Sequence, residues 1–323
     1  MTRSRAAVVR RFGGPEVLEI TEVATPRPGP GQIAVRVRAI GVGFTDLMAR
    51  SGDYLLQRRL PFTPGYELVG ELDDGRLVAM SLPKMGAYRD HVVVPSWLPV
   101  PLPDGLDPVA AATIPLDYLT ALSLLEKHAR VETGDAVFIQ GAGGGVGAAL
   151  SRLGKLKGLK MYGTASSPDR LSTNGVRFID YRSQDFETVL AEEEPDGVRA
   201  VFDHLGGAMV RKGYRALAPG GVLVSYAFSG RPGHMVADTV KGAIGVGLRG
   251  LLPGKRTALC MVPREVKSDH TWYRDSLRRL LDLAAEGAIH AEAGAVFPLA
   301  EAAEVHRALQ HREITGKVVL TTE

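Results

Sequence analysis

This chain has little cysteine, little net charge and no long uninterrupted apolar run. Cys260 is the only cysteine, which excludes intramolecular disulfides and any cysteine-rich zinc site. The formal net charge is only +3 and the basic residues are scattered, so no nucleic-acid partner is expected. The longest apolar stretch, residues 243–252, is interrupted by Arg249, and we therefore expect no membrane span.

The composition is otherwise that of an ordinary soluble globular protein. Hydrophobic residues make up 45% and charged residues 23% of the chain. Its 323 residues are enough for two domains. The amino terminus shows no apolar core of a signal peptide, so we expect a cytoplasmic protein.

The periodicity of the sequence changes near Pro115. Before this point short segments of strand character are separated by prolines and glycines, and residues 33–40 alternate with period two. After it, helical segments alternate with strand-like runs at residues 136–140, 160–164, 177–180, 200–203, 222–226 and 258–262. The pattern predicts an α/β fold, in which a Rossmann-type, doubly wound parallel sheet follows a β-rich domain.

A glycine-rich turn at residues 141–147 is the most informative motif of the chain. A strand-like run precedes it and a helical pattern follows it, which is the context of a dinucleotide-binding turn. Gly144 would let the backbone approach a pyrophosphate, and Gly147 would let the helix pack closely on the strand. Amides at the helix start, those of Gly145 and Val146 among them, would hold the phosphates. A plain glycine-rich turn is the alternative.

Several motifs in a fixed order resemble the medium-chain dehydrogenase/reductase superfamily, in its zinc-independent quinone-oxidoreductase branch. They lie at residues 12–18, 39–46, 61–67, 141–147, 180–182, 202–207 and 315–320. Residues 64–70 and 272–275 are most similar to the subgroup that contains the vesicle amine transport protein. The resemblance extends from about residue 5 to residue 320.

This resemblance implies a domain organisation and an oligomeric state. Residues 1–116 and 265–323 would form a GroES-like, partly closed β-barrel domain that carries catalysis. Residues 117–264 would bind NADPH, with the cofactor in the cleft between the domains. Many relatives pair the last strand of the nucleotide-binding sheet, so we expect a homodimer through the strand from Ala258 to Val262.

The residues argue against a metal site. Zinc-dependent relatives use cysteine, histidine and glutamate ligands, whereas Glu67 of this chain has no cysteine near it. We therefore interpret Glu67 as a buried, paired carboxylate and assign no metal ligand.

NADPH is expected rather than NADH, because no carboxylate stands at the end of the second strand of the nucleotide-binding fold. Ser166 and Ser167 stand there instead, and Arg170 could grip a 2′-phosphate. Tyr181 matches a family tyrosine near that phosphate. Two alternatives remain: the serines serve only the turn, or Asp169 binds a ribose hydroxyl.

Tyr54 is the candidate catalytic residue. It aligns with a tyrosine that acts in the related enoyl-thioester reductases, and a phenol is protonated near neutral pH. It could also line the substrate site or simply pack. Gly43 stands where many quinone reductases have an asparagine, so this chain lacks that amide.

Further cofactor contacts are implied by the resemblance, at Gly43, Asp46, Thr120, Leu205, Tyr226 and Lys317. For Asp46 we favour the alternative that it caps the helix it opens. His204, beside Asp203, is interpreted as a loop histidine. Residues 229–255 form either a mobile wall over the substrate or a helix with a packed apolar face, and either would favour an apolar substrate.

Together these features predict an NADPH-dependent, zinc-free reductase of a quinone or an α,β-unsaturated carbonyl compound. An enoyl-thioester reductase of fatty-acid or polyketide type is the alternative within the same chemistry. An NADPH-binding protein with little turnover is the alternative from another class. RNA binding, known among relatives, is disfavoured by the small charge and the 6% aromatic content.

Overall fold

The computed structural model describes residues 3–168, 171, 174–231 and 233–322. The chain divides into two compact units, the first made of residues 1–119 and 262–323 and the second of residues 120–261. The expected boundaries, after residues 116 and 264, lie three residues from these. No helix among the described residues is at once long enough and apolar enough to cross a membrane.

The first unit is built on antiparallel β-structure. Numbered along the whole chain, its strands are β1 (Arg3–Val9), β2 (Leu18–Ala24), β3 (Gln32–Val42), β4 (Glu67–Glu71), β5 (Leu77–Ser81), β6 (His91–Pro95), β7 (Val100–Pro101), β14 (Ala295–Pro298) and β15 (Val318–Thr321). β1 and β2 form a hairpin-like pair. The larger sheet has the order β14-β15-β3-β4-β5-β7, and β6 also pairs with β3. Strand β3 is central because it pairs with three neighbours.

Short helices accompany these strands. They are α1 (Phe44–Ser51), α2 (Pro108–Ala111), α8 (Val262–Ser268), α9 (His270–Ala285) and α10 (Ala302–His311), with 3-10 turns at Pro15–Val17 and Leu299–Glu301. Helix α3 (Asp117–Leu122) crosses the boundary between the units and continues as a π-helical segment, Ser123–Ala129. The sequence pattern predicts α9 only from residue 275. It begins earlier because the Asp269 carboxylate accepts a hydrogen bond from the Trp272 amide and caps it.

The second unit is a doubly wound α/β fold, as predicted. Its strands are β8 (Ala136–Ile139), β9 (Lys160–Ala165), β10 (Val176–Asp180), β11 (Val198–Asp203), β12 (Leu217–Ser225) and β13 (Arg256–Leu259). Its helices are α4 (Gly145–Leu156), α5 (Phe186–Glu193), α6 (Gly207–Arg215) and α7 (Met235–Arg249). All pairings are parallel, in the order β10-β9-β8-β11-β12-β13. The direction of winding reverses between β8 and β11, where such sheets bind ligands.

Two details of the second unit differ from the sequence-based expectations. The strand expected over residues 258–262 ends at Leu259, and Val262 already belongs to α8. Within residues 229–255 the helix alternative is right, since α7 occupies the centre. Apolar side chains lie on two sides of this helix: Met235 and Val246 are buried on one side, whereas Val240, Ile244 and Leu248, spaced four residues apart on the opposite side, are exposed.

Candidate cofactor and substrate sites

The glycine turn between β8 and α4 leaves no room for side chains at two positions. Gly141 has a φ of +64°, and a Cβ there would lie 2.3 Å from Cε1 of His204. A Cβ on Gly147 would lie 2.3 Å from the carbonyl oxygen of Gly141, as the expected close packing of helix on turn requires. The turn therefore depends on glycine for its conformation as well as for access.

The amino terminus of α4 is open to a ligand. Gly144 is the N-cap residue and has no side chain with which to cap the helix. The first-turn amides of Gly145, Val146 and Gly147 have no acceptor within the helix, since helical geometry provides none. Gly144 and Gly145 are exposed. Three donors at the positive end of a twelve-residue helix suit a pyrophosphate.

The turn is also tied to the neighbouring strand β9. The Gly141 amide donates to Oγ1 of Thr164 at 3.0 Å, and the Ala142 amide donates to the Thr164 carbonyl at 2.8 Å. A Cβ on Gly163 would lie 2.6 Å from the Cβ of Ala142. Ala142 thus takes a place beside a glycine of β9, and this contact went unpredicted because it joins residues far apart in the sequence.

The described residues that are expected to bind a 2′-phosphate follow the carboxyl ends of the neighbouring strands β9 and β10. Ala165 of β9 is in register with Asp180 of β10, so Ser166 and Tyr181 leave neighbouring strands at the same end. Ser166 and Ser167 are partly exposed and Tyr181 is exposed. Asp169 and Arg170 lie outside the described residues.

Arg182 is a cation at this edge that the sequence analysis did not assign. Its guanidinium carbon lies 5.8 Å from the centre of the Tyr181 ring, and the side chain is exposed. The Asp180 carboxylate is engaged locally, because it accepts a hydrogen bond from the Arg182 amide at 2.9 Å. The motif Asp-Tyr-Arg was visible in the sequence, and only its tyrosine was used.

The ends of β11 and β12 carry two further expected contacts. Asp203 is buried and accepts hydrogen bonds from the Leu205 amide at 3.2 Å and from Oγ of Ser225 at 2.8 Å. Burial raises the pKa of this carboxyl group. The resulting turn presents Leu205, which is 39% exposed, at the carboxyl edge of the sheet. Tyr226 follows β12 at the same edge and donates its amide to the Asp203 carbonyl.

His204 lies in the loop between β11 and α6, as interpreted, and is half-buried there. Its ring packs against Gly141 and lies nearly parallel to that of Tyr226, with centroids 5.9 Å apart. Burial lowers the pKa of its imidazole, which is therefore neutral at physiological pH. The ring occupies the space that a side chain at position 141 would need, so it supports the glycine turn by packing.

In the first unit, Tyr54 lies just beyond the end of α1 and is half-buried. Its ring meets the buried ring of Tyr66 edge to face, with centroids 6.2 Å apart and planes at 83°. Burial raises the pKa of Tyr54 to about 12. The Tyr54 hydroxyl is therefore protonated at neutral pH and available as a donor.

Asp46 has the capping role favoured for it. Its carboxylate accepts hydrogen bonds from the amides of Gly43 and Gly65, each at 2.9 Å, and from the Tyr88 hydroxyl at 3.4 Å. Burial raises its pKa to about 6. Gly43 serves as the N-cap of α1, and a Cβ there would come no closer than 3.3 Å, to Oγ1 of Thr45.

Glu67 is the buried, paired carboxylate that the sequence predicts. Its Oε2 accepts the Leu116 amide at 2.8 Å, and its Oε1 accepts from the Lys317 ammonium. Burial raises the pKa of Glu67 to about 7 against the attraction of Lys317. For Lys317 itself, burial would lower the pKa, but the charges of Asp117 and Glu67 outweigh it and raise the pKa.

The predicted site residues thus fall into separate groups. One group lies at the carboxyl edge of the second unit's sheet and consists of the glycine turn, Ser166, Ser167, Tyr181, Leu205 and Tyr226. Gly43, Asp46 and Tyr54 lie around α1 in the first unit. The Lys317 ammonium contacts Glu67 and Asp117 of its own unit, the latter at 3.0 Å. Thr120 is buried in α3.

Known proteins match this architecture along the whole chain. Residues 175–320 match the family described as zinc-binding dehydrogenase, and residues 29–76 match the alcohol dehydrogenase GroES-like domain. A synaptic vesicle membrane protein VAT-1 homolog of Homo sapiens is 31% identical, over 98% of this chain and 86% of its own length.

Two bacterial enzymes and one solved structure are similar over nearly their full lengths. A 2-haloacrylate reductase of Burkholderia sp is 31% identical over 98% of both chains. A quinone oxidoreductase of Pseudomonas aeruginosa is 32% identical, over 96% of this chain and 97% of its own. A mycobacterial protein solved in complex with NADPH is 28% identical with a TM-score of 0.82, over 98% and 99% of the two chains. With a GroES-like unit, a doubly wound sheet and relatives of this identity, the chain belongs to the medium-chain dehydrogenase/reductase superfamily, in the branch of the quinone oxidoreductases and VAT-1 homologues.

Proposed function

We propose that the protein is an NADPH-dependent, zinc-free reductase of quinones or α,β-unsaturated carbonyl compounds. The observation that carries the proposal is the uncapped amino terminus of α4 after a turn that depends on Gly141 and Gly147. The NADPH found in the mycobacterial structure supports the cofactor. The names of the two bacterial relatives support the class of acceptor.

The residues fit a dinucleotide that carries a 2′-phosphate. The amides of Gly145, Val146 and Gly147 would bind the pyrophosphate. Ser166, Ser167, Arg170, Tyr181 and Arg182 would surround the 2′-phosphate with hydroxyls and cations. When bound, NADPH supplies a hydride.

Tyr54 is the proposed donor to the reduced acceptor. Addition of hydride to the β-carbon of a conjugated carbonyl leaves an enolate, whose negative charge needs a hydrogen-bond donor. The Tyr54 hydroxyl donates a hydrogen bond and then its proton, so that one hydride and one proton saturate the double bond. Water then returns a proton to the Tyr54 oxygen.

Glu67, the residue that stands in the motif of the zinc-dependent relatives, holds no zinc in this proposal because its carboxylate is already paired. Both carboxylate oxygens of Glu67 are engaged, one by the Leu116 amide and one by the Lys317 ammonium. A metal cation at Glu67 would lie beside that ammonium, and the two like charges would repel each other.

The test is oxidation of NADPH, with NADH as comparison, against a panel of quinones, enones and enoyl-thioesters. Tyr54→Phe keeps the ring and removes the hydroxyl, and general acid catalysis typically contributes roughly 10²–10⁴-fold. We expect a loss of that order with enones and a smaller one with quinones, whose reduced anions are aromatic and take up a proton from solvent. NADPH binding without turnover of any acceptor would favour a binding protein, and turnover of thioesters alone would favour an enoyl-thioester reductase.

We also propose a cytoplasmic homodimer that forms along β13. This strand is at the edge of its sheet, and an open edge can pair with the same edge of a second copy. Leu259 at its end is 38% exposed. Leu259→Asp would place like charges at a symmetric contact, so sedimentation should change from dimer to monomer. If the Leu259→Asp protein is still a dimer, the interface does not lie along β13.

A further inference from the structure

The loop that follows Tyr54 exposes an uncommon combination of side chains. It comprises residues 55–60 and contains no helix or strand. Five of its six side chains are exposed, three of them leucines and two of them arginines: Leu55, Leu56, Leu60, Arg58 and Arg59. Large apolar side chains that are grouped on a protein surface and bordered by polar ones usually mark a place that contacts a ligand or a partner.

This loop is anchored at both ends. The Gln57 amide donates to the Tyr54 carbonyl at 3.2 Å, which folds the first half of the loop into a turn against Tyr54. At the other end, Phe62 exchanges two backbone hydrogen bonds with Val9 of β1, at 2.8 and 3.1 Å. The exposed side chains are therefore carried by a backbone that stays close to the proposed donor.

Arg58 brings a positive charge to the backbone that precedes Tyr54. Its guanidinium donates to the carbonyl of Gly52, two residues before Tyr54, and its guanidinium carbon lies 5.5 Å from the centre of the Phe12 ring. A guanidinium has five N–H groups, and the Gly52 carbonyl accepts from one nitrogen only. Among the described residues no other acceptor binds this guanidinium, so most of its donors remain for a ligand.

Neither arginine of the loop forms an ion pair with an acidic side chain in the part of the chain that the structure describes. Other exposed arginines of the same unit do have carboxylate partners. Arg3 pairs with Glu22 at 2.7 Å, and Arg76 pairs with Asp74 at 2.7 Å. The positive charge of the loop is thus left for a ligand to neutralise.

The combination of leucines and arginines narrows the class of ligand. A neutral apolar molecule would contact the leucines and leave both guanidinium groups unpaired. A small inorganic anion would use the arginines alone. Guanidinium groups bind carboxylates and phosphates through paired hydrogen bonds, so the loop fits a molecule that has both an apolar part and one of these anions.

We propose that the acceptor reduced beside Tyr54 carries an anionic group, a carboxylate or a phosphate, and that Arg58 and Arg59 bind this group. The leucines of the loop contact the apolar part that joins the anionic group to the conjugated carbonyl. This rests on the proposed function and narrows its substrates to amphiphilic acceptors. The anionic group is separate from the conjugated carbonyl, because a negative charge conjugated with the double bond would oppose the addition of hydride.

Pairs of acceptors that differ in charge but share their reacting atoms test this inference. The first pair is an aliphatic enone that ends in a carboxylate and the methyl ester of the same compound. The second pair is crotonyl-coenzyme A and crotonyl-N-acetylcysteamine, of which only the first has phosphates. In NADPH oxidation, the anionic member of at least one pair should have a KM about tenfold lower, and the pair that shows this preference identifies the anion. The preference should shrink as salt is added, because exposed charges are screened.

Two variants assign the preference to the loop. Arg59→Gln removes a guanidinium that has no partner among the described residues, so the fold should be kept. Arg59→Gln and Arg58→Gln should each lower the preference for the anionic member about threefold, as expected for an exposed charge, and the double variant should lose most of it. Arg76→Gln is the matched control, because this exposed arginine of the same unit is already paired with Asp74; it should retain the preference.

A binding measurement that needs no turnover accompanies the kinetics. The saturated keto acid and its methyl ester have no double bond to reduce, and calorimetric titration of the protein with NADP⁺ measures their affinities. The keto acid should bind about tenfold more tightly than the ester, and the double variant should bind the two nearly alike. The same comparison is made with butyryl-coenzyme A and butyryl-N-acetylcysteamine.

The outcomes separate this inference from the proposed function. Equal KM values within both pairs, or a preference that persists in the double variant, would overturn the anionic acceptor and leave the proposed function standing. Failure of the unmodified protein to reduce any acceptor would refute the proposed function. The calorimetric comparison would then still decide whether Arg58 and Arg59 bind an anionic, apolar ligand.

Discussion

The hydroxyl of Tyr88 lies 3.1 Å from Nε2 of His306, and both side chains are fully buried. The same hydroxyl approaches the Asp46 carboxylate at 3.4 Å. One phenol therefore connects a buried imidazole to the carboxylate that caps α1. Burial and the nearby charge of Arg50 lower the pKa of His306 to about 3.

This arrangement predicts a loss of stability in acid that is specific to His306. The histidine pKa is lower in the folded state, so between pH 6.5 and 3 the unfolded state binds the extra proton and stability falls as pH falls. Because of His306, the free energy of unfolding should be about 2 kcal/mol lower at pH 5 than at pH 7. His306→Gln does not titrate and should lose correspondingly less.

Urea unfolding followed by tryptophan fluorescence is the appropriate measurement. Both tryptophans, Trp97 and Trp272, belong to the first unit and report on it. Asp46 and Glu67 have raised pKa values, so their own contributions to stability fall as pH rises, the opposite sign; they are common to both proteins and cancel in the difference. Parallel pH curves for the two proteins would show that His306 binds protons equally in the folded and unfolded states.

A second prediction concerns the close contact at Gly147. Gly147→Ala would force a methyl group to within 2.3 Å of the Gly141 oxygen, so the turn must shift. We expect NADPH affinity to fall by about tenfold or more, because an overpacked backbone contact costs roughly 1–3 kcal/mol. Calorimetric titration with NADPH measures this.

The control for this change is Gly247→Ala in α7. A Cβ there meets no atom within 4 Å, so the new side chain is free of strain. Alanine should stabilise the helix by up to about 1 kcal/mol and leave NADPH binding unaltered. If both variants bind NADPH as the parent does, the turn at Gly147 does not hold the cofactor.

A third prediction concerns Arg182. If it binds the 2′-phosphate beside Tyr181, then Arg182→Ala should weaken NADPH binding about tenfold, the effect of one charge-assisted contact, and leave NADH binding unchanged. Arg177→Ala is the control. Arg177 lies near the other end of β10 and pairs with Glu193 at 2.9 Å. A loss that is equal for both cofactors would make Arg182 a structural residue.

A fourth prediction concerns metal content. Purified protein should contain well below one zinc per chain by mass spectrometry, and a chelator should leave NADPH oxidation unchanged, because Glu67 is already neutralised by Lys317. One zinc per chain, lost together with activity, would overturn the zinc-free proposal.

The sequence predicted the sheet of the second unit well because its strands are continuous apolar runs between amphipathic helices. The turn at residues 141–147 was predicted for the same reason, since strand, glycines and helix are adjacent in the chain. Strand ends were less accurate: the segment after Leu259 remains apolar, yet Val262 opens a helix.

The local pattern of residues along the sequence could not predict long-range contacts. Tyr66 stands in a motif that was recognised, but nothing local indicates that its ring meets that of Tyr54. Likewise, Lys317 and Glu67 are 250 positions apart, and only the fold brings them together. Pairing of the Glu67 carboxylate was predicted from its isolation from cysteine, while its partner was not.

The two hydrogen bonds from the glycine turn to Thr164 have a consequence for binding. They join the turn to β9, the strand that leads to Ser166, so the proposed phosphate-binding and ribose-binding ends belong to one prearranged backbone. When a ligand binds to a prearranged backbone, the protein chain loses little entropy, so little of the binding free energy is offset. The adenosine half of a dinucleotide should therefore bind even when its nicotinamide half is absent.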